Sequence, residues 1–250
     1  MNGTRHEPDG ANWWGGLIKM KMILLALVFA AHCAAASGQT LLGFPFADET
    51  LRYAISLPGG VPLGQGSLQS RKANFEWSYE LSLEANIPKY VVKDQYTAHS
   101  NLDFCSVDFA KQFVHGARKG GEKETIDRSH SSATRVTLNG GGKSEFSVPD
   151  CTKDALTFLF YARRELGQGR VPAAQSILFG ILYDVSLQYA GAQTISFGGK
   201  QVVTDEIVVT LKGPSSNRQF EIYFARDAAR TPLLFKVPLP VGKISMELVR

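Results

Sequence analysis

The sequence predicts a mainly β protein: a strongly curved antiparallel sheet or incomplete barrel, with one helix, at about residues 150–166, packed across it. Three observations predict this. Apolar and polar residues alternate with a period of two in segment after segment, a half-buried strand's signature. Glycine-rich or polar turns separate these segments at short intervals. One stretch alone has helical character, and no strand–helix–strand alternation occurs, so a parallel sheet is not expected.

The reading begins with a leader. Residues 19–40 are KMKMILLALVFAAHCAAASGQT: lysines, an apolar run from Met22 to Ala31, then small residues. That order is a secretory signal peptide, and its apolar run falls short of the roughly 20 residues a spanning helix needs. Ala34 and Ala36 set cleavage after Ala36, with Ser37 and Gly38 as alternatives, and Met20 or Met22 serves as the start. His32 stands where lipidation at Cys33 calls for a small residue, so Cys33 is expected to leave with the leader. Residues 1–39 are thus expected to be an upstream extension plus cleaved signal peptide, and 40–250 a single mainly-β domain in the periplasm or secreted.

Without residues 1–39 the net charge falls from +4 to +3, too weak and dispersed for nucleic acid, which needs a clustered basic stripe. About 210 residues remain, enough for one sizeable core, and no later apolar stretch is long enough for a transmembrane helix. Cys105 and Cys151 survive cleavage. In an exported chain they are expected to form a disulfide, against the alternative of two independent buried thiols.

The elements follow in order. In TLRYAISL, Leu51, Tyr53, Ile55 and Leu57 share a face, and Pro58-Gly59-Gly60 turns the chain into a returning strand, VPLGQGSLQSR. Gly64 and Gly66 mark a bulge or close backbone contact there. In FEWSYELSLEA, Phe75, Trp77, Tyr79, Leu81 and Leu83 point one way, and Glu76, Ser78, Glu80, Ser82 and Glu84 the other. Residues 91–100, 102–109, 133–138 and 143–148 read as strands, with Asn139-Gly140 a hairpin turn between the last two. RKGGEKETIDRSHSS is polar enough to be a mobile loop. Pro149 and Asp150 open the helix, Arg163 and Arg164 oppose the negative end of its dipole, and Gly167 stops it. Strands resume at 181–189, 193–197, 201–211, 218–225, 233–239 and 243–249, with GPSSN and RDAARTP as the clearest turns.

These segments carry a resemblance. FADETLRYAISLPGGVPLGQGSL resembles the opening of the bacterial domain-of-unknown-function 3108 family, a "GE-x-L-x-Y" strand leading through a turn to "G-x-a-x-L"; Asp48 replaces the usual glycine before Glu49, Leu51 and Tyr53. DALTFLFYARREL is similar to the family's "D-P-L-S-x-L-Y-Y-L-R" at Asp154, Leu156, Leu159, Tyr161 and Arg163, and departs from it at Ala155 and Thr157. The terminal FEIYFARDAARTPLLFKVPLPVGKISMELV is similar to its last hairpins, with an acidic turn before "R-x-P-L". The resemblance runs from about Phe46 to the end and implies an exported, mostly β domain of the cell envelope. It implies no activity.

The motifs that carry chemistry are weak. NGGGKS at Asn139 has Thr137 where a phosphate loop needs its first glycine, and a strand follows in place of a helix. His99, His115 and His130 form no H-x-x-x-H pair, so no metal and no other cofactor is expected. Glu76, Glu80 and Glu84 lie on an exposed face, where like charges solubilise; nothing supplies a second carboxylate at catalytic separation. No G-x-S-x-G occurs, and neither surviving cysteine has a Cys–His signature. A non-enzymatic role is therefore expected. The aromatic strand stands apart: Phe75, Trp77 and Tyr79, with Phe220, Ile222 and Phe224 on a later strand, form either a packed core or the wall of an apolar pocket. The expected function is binding of a lipid, glycan or hydrophobic segment by the curved sheet, with Trp77, Tyr79, Phe220 and Phe224 lining the site. The alternative is a solid-cored interaction module working through its sheet edges or the Arg163–Arg164 helix. An enzyme acting on envelope polymers comes third.

Overall fold

The computed structural model describes residues 46–87, 90–214, 216–239 and 242–249; the expected leader at 1–39 lies outside them. The first half of the chain makes β1 (Glu49–Ser56), β2 (Pro62–Ala73), β3 (Glu76–Ile87), β4 (Tyr90–Asn101), β5 (Ser106–His115), β6 (Arg118–Asp127), β7 (Ser132–Thr137) and β8 (Lys143–Ser147). A two-residue β9 (Lys153–Asp154) leads into α1 (Ala155–Gly167). The second half makes β10 (Gln175–Phe179), β11 (Ile181–Phe197), β12 (Lys200–Lys212), β13 (Asn217–Ala225), β14 (Pro232–Leu239) and β15 (Gly242–Leu248).

Among the described residues, fifteen strands form one open sheet, ordered from β8 down to β1 and then from β15 down to β9. β1 and β15 are neighbours in its middle, pairing Tyr53 with Leu248 and Ile55 with Met246. β9 runs parallel to β10; the hairpin-connected neighbours are antiparallel.

The sheet curls around α1. One core cluster joins Tyr53 of β1, Trp77 and Tyr79 of β3, Phe109 of β5, Ile207 of β12, Ile222 and Phe224 of β13 and Phe235 of β14 to Leu156 and Phe160 of α1. A second cluster, Ile126, Ala133, Val148 and Leu178, draws β6 and β7 against β10. Side chains, not a closed hydrogen-bond ladder, bring the two ends of the sheet together. At one rim the Ser106 amide donates to the Thr152 carbonyl at 2.9 Å, and Cys105 is disulfide-bonded to Cys151. Closing that 46-residue separation stabilises by about 4 kcal/mol in the chain-entropy model.

Several elements differ from expectation, each for a local reason. α1 starts at Ala155, not near 150, because Cys151 has φ 51° and Lys153–Asp154 pairs with Ile177–Leu178 first. Asp154 is the N-cap, accepting from the Leu156 and Thr157 amides at 2.8 and 3.0 Å. Its other oxygen accepts from the hydroxyls of Ser106 and Thr157, both at 2.6 Å. Burial pushes the Asp154 carboxyl up, and these hydrogen bonds oppose the rise. The polar stretch expected to be mobile contains strand β6, whose Glu122 and Glu124 oppose Lys111 and Phe109 on β5. β5 begins at Ser106, since Leu102–Cys105 forms a turn hydrogen-bonded to Asn101. The segments 181–189 and 193–197 are one strand, interrupted only by a bulge at Tyr189–Gly191. Phe75, expected on the buried face, lies in the β2–β3 turn after Asn74 (φ 46°) and is 82% exposed. Among the described residues, no helix is long and apolar enough to cross a membrane.

Candidate functional site

The wall expected to hold an apolar guest is filled by the chain itself. Trp77 and Tyr79 are fully buried. Tyr79 stacks on Phe160 of α1 with ring centroids 4.4 Å apart, and Trp77 lies 5.9 Å from Phe104 and 5.7 Å from Phe46. Phe224 is buried in the same core, and Phe220 is half-buried against it. A ligand at Trp77 and Tyr79 would have to displace α1, so these two side chains are core; Phe220 borders a hollow of about 320 Å³ beside Leu211 and Val237, and Phe224 a separate one of about 230 Å³ beside Leu166 and Tyr189.

A groove of about 940 Å³ lies on the opposite face of β1–β6. Register builds it from two rows of side chains that cross the strands. One row is Arg52, Ser67, Ser82, Gln95 and Gln112; the other is Ala54, Gln65, Glu84, Lys93, Val114 and Lys119. Every member of both rows borders the groove, as do Asn139 and Val249. Gly64 belongs to its floor, where a Cβ would stand 1.9 Å from the Glu84 carbonyl oxygen. Only glycine lets β2 approach β3 this closely.

The lining mixes polar side chains with apolar ones, among them Ala54, Leu83, Phe113 and Val249, and its polar part is partly organised in advance. Lys93 pairs with Glu84 at 2.8 Å and holds its carboxyl below the usual range. Ser82 and Gln95 both donate to one oxygen of Glu80, at 3.0 and 3.3 Å, which aligns the first row. Arg52 on β1 and Lys119 on β6 make no ion pair among the described residues. Each amide side chain offers both donors and an acceptor, and each serine hydroxyl can do either.

A second convergence involves the segments that carried the family resemblance. Arg163 of α1 is fully buried and forks onto Glu49 at the head of β1, at 2.7 and 3.0 Å. Its Nε donates to the Ala229 carbonyl in the β13–β14 turn at 3.0 Å, and its guanidinium lies 4.8 Å from the Phe46 ring centroid. Tyr53 donates to the Pro232 carbonyl at 3.0 Å. The first strand, the helix and the last hairpins are therefore tied at one buried node. The model of a family described as a protein of unknown function, DUF3108, matches residues 50–249. The chain belongs to the DUF3108 family. No curated protein and no solved structure matches the chain.

In this DUF3108 chain the node is architectural: Arg163 is inaccessible, which removes it from the arginine surface expected to meet a partner. Arg164 is half-buried over the rings of Phe104 and Tyr161, at 4.7 and 4.9 Å. Asn139 and Gly140, with φ 65° and 89°, form the hairpin turn between β7 and β8. Among the described residues each histidine meets one aspartate: His99 with Asp108 at 2.7 Å, His115 with Asp94 at 2.9 Å and His130 with Asp127 at 2.7 Å.

Glu124 is the residue sequence reasoning missed. It faces inward on β6 and is 1% exposed, with no hydrogen bond of full geometry to either carboxyl oxygen. Burial pushes its carboxyl up to about 7; the Gly180 backbone opposes the rise, the Glu122 charge adds to it, and Arg135 and Lys111 oppose it. Glu122 is paired with Lys111 at 3.3 Å, and Arg135 donates to the Gly180 carbonyl. This cluster sits at the seam where β6 and β7 meet the β10–β11 turn, away from the groove lining.

Proposed function

We propose that the chain is exported to the cell envelope and acts there by binding rather than catalysis. Its site is the groove across β1–β6, where polar side chains alternate with apolar ones, and its ligand is a hydroxyl-rich glycan bearing acidic groups. The observation that carries this reading is the pair of unbroken cross-strand rows bordering the groove. Their amides and hydroxyls match the mixed donors and acceptors of sugars. Arg52 and Lys119, on the outermost strands and roughly 24 Å apart at the usual strand spacing, match anionic groups along such a polymer. A lipid is the weaker choice, because the apolar face is occupied by the chain's own aromatic rings. The leader-like segment at 19–40 and the Cys105–Cys151 disulfide support export, since disulfides persist in oxidising compartments.

The test is calorimetric titration of the protein with soluble acidic fragments of envelope glycans. Saturable binding is expected, falling with ionic strength. The double variant Gln95→Ala/Gln112→Ala should bind roughly tenfold more weakly, as loss of one or two ligand hydrogen bonds dictates. Glycan binding that is absent, or unchanged in the double variant, refutes the assignment. Uptake of a fluorescent fatty-acid analogue in its place restores the apolar alternative.

A further inference from the structure

The turns β1–β2, β3–β4, β5–β6, β7–β8, β10–β11, β12–β13 and β14–β15 lie at one end of the sheet, because hairpin-connected strands alternate in direction and β1 runs antiparallel to β15. Contacts hold neighbouring turns side by side. A Cβ on Gly116 would stand 2.7 Å from the Tyr90 ring, one on Gly242 2.8 Å from Pro58, and one on Gly213 2.5 Å from the Tyr183 ring of β11. The Leu138 amide donates to the Gly121 carbonyl at 2.9 Å, and Arg135 of β7 donates to the Gly180 carbonyl in the β10–β11 turn. These turns therefore make one rim.

The two ends of the sheet differ in charge. With two strand residues taken on either side of each turn, this rim carries six cations among the described residues, Arg118, Lys119, Lys143, Lys212, Arg218 and Lys243, and no aspartate or glutamate. All six are exposed, and among the described residues only Lys243 is ion-paired, with Glu221 at 2.8 Å. The six turns at the opposite end, bounded in the same way, offset six cations with six carboxylates: Glu76, Asp103, Asp127, Asp150, Asp154 and Asp227. The cationic rim also exposes large apolar side chains, Val61, Tyr90, Val91, Leu138 and Ile181. Each of its turns carries an exposed cation, one of these apolar side chains, or both.

We propose that this rim docks on an anionic membrane surface. An acidic protein or polymer would meet the cations and leave the apolar turn residues in water. A lipid interface satisfies both kinds of residue: acidic headgroups attract the lysines and arginines, and the apolar side chains between them sink to the boundary of the acyl region. Tyr90 suits that boundary, since its ring is apolar in body and polar at the tip. The contact is peripheral, made by turns, and requires no strand or helix to enter the hydrocarbon. Arg118, Lys143, Lys212 and Arg218 do not border the β1–β6 groove, so docking does not depend on what that groove binds.

Co-sedimentation with vesicles of phosphatidylglycerol and phosphatidylcholine, and of phosphatidylcholine alone, tests this. The protein is used without residues 1–39, whose apolar run would bind lipid by itself; both core clusters lie wholly at Phe46 or later, so the fold is kept. Binding to the anionic vesicles is expected, weakening with salt, with little binding to the neutral ones. Lys143→Gln/Lys212→Gln should lower partitioning roughly tenfold or more. Arg128→Gln/Lys200→Gln, the same charge change at the opposite end, should leave it within about twofold. The emission of Val61→Trp should shift to the blue on anionic vesicles, and that of Phe75→Trp, in the opposite turns, should not. Absence of binding to anionic vesicles overturns the proposal. So does an equal loss in the two double variants, or a bound Val61→Trp whose emission stays put. Should a variant fail to fold, amide exchange of the parent on vesicles decides, slowing in Leu138–Lys143 and not in Asp127–Ser132.

Discussion

Glu124→Gln tests the electrostatics of the seam most directly. Glutamine keeps the shape of the protonated carboxyl and removes its ionisation. An ordinary glutamate titrates near 4.5, whereas the buried Glu124 carboxyl is pushed up to about 7. Between those values the folded chain holds a proton that the unfolded chain has lost, so stability falls as pH rises through that window. Above it the whole cost of burying the charge is present. A proton affinity raised by roughly two and a half powers of ten corresponds to about 3 kcal/mol, at ~1.36 kcal/mol each. The variant should therefore gain about 3 kcal/mol over the parent near pH 8 and close to nothing near pH 4.5, or ~6–12 °C in Tm for a domain of this size. Scanning calorimetry of both proteins at several pH values across that range measures the difference directly. A Tm difference that is the same at both ends, or a parent that is the more stable at high pH, would refute the reasoning.

Two further outcomes follow from packing. Trp77→Ala should cost about 3–5 kcal/mol, while Phe75→Ser, two residues earlier but in the exposed turn, should change stability by less than about 0.5 kcal/mol; urea titration of both variants separates the two environments. Arg163→Met strands the Glu49 carboxylate in a mostly buried setting and should cost about 3–5 kcal/mol, read as a lowered urea midpoint, whereas a near-neutral result would mean that Glu49 finds solvent on its own.

Much of this fold was legible because alternation is a local property. Trp77, Tyr79 and Leu81 declare a buried face within five residues, and Asn139-Gly140 declares its turn within two. β6 was not legible: its inward residues include Glu122, Glu124 and a glycine, made tolerable by Lys111 and the Gly180 backbone, distant in sequence. β10 and the start of α1 were hidden because Ile177 and Lys153 define each other by pairing. Residues 190–192 read as a break between two strands in sequence, whereas the sheet runs through them with a bulge at Tyr189–Gly191. The groove was illegible for a related reason. Ser67, Ser82, Gln95 and Gln112 each look like ordinary wet positions on their own strands, and only the register of three hairpins aligns them. The signature residues Glu49 and Arg163 were legible as a pattern, but their sharing one bond was not.

The adjacency of β1 and β15 places a condition on how the chain acquires this structure. Tyr53 waits for Leu248 as its neighbour, so a nascent chain carries the long β1–β8 meander with β1 as a bare edge until β15 arrives. Contacts this distant in sequence make folding slow and leave unpaired strands open to wrong partners meanwhile. Glu49 likewise meets Arg163 and, through it, the Ala229 turn only after most of the chain is present. Removing β15 would do more than shorten the sheet: it would cut the continuous ladder into two halves, leaving α1 and the core side chains to hold them together. Assembly of this domain is thus a closing step, governed by the final residues rather than the first.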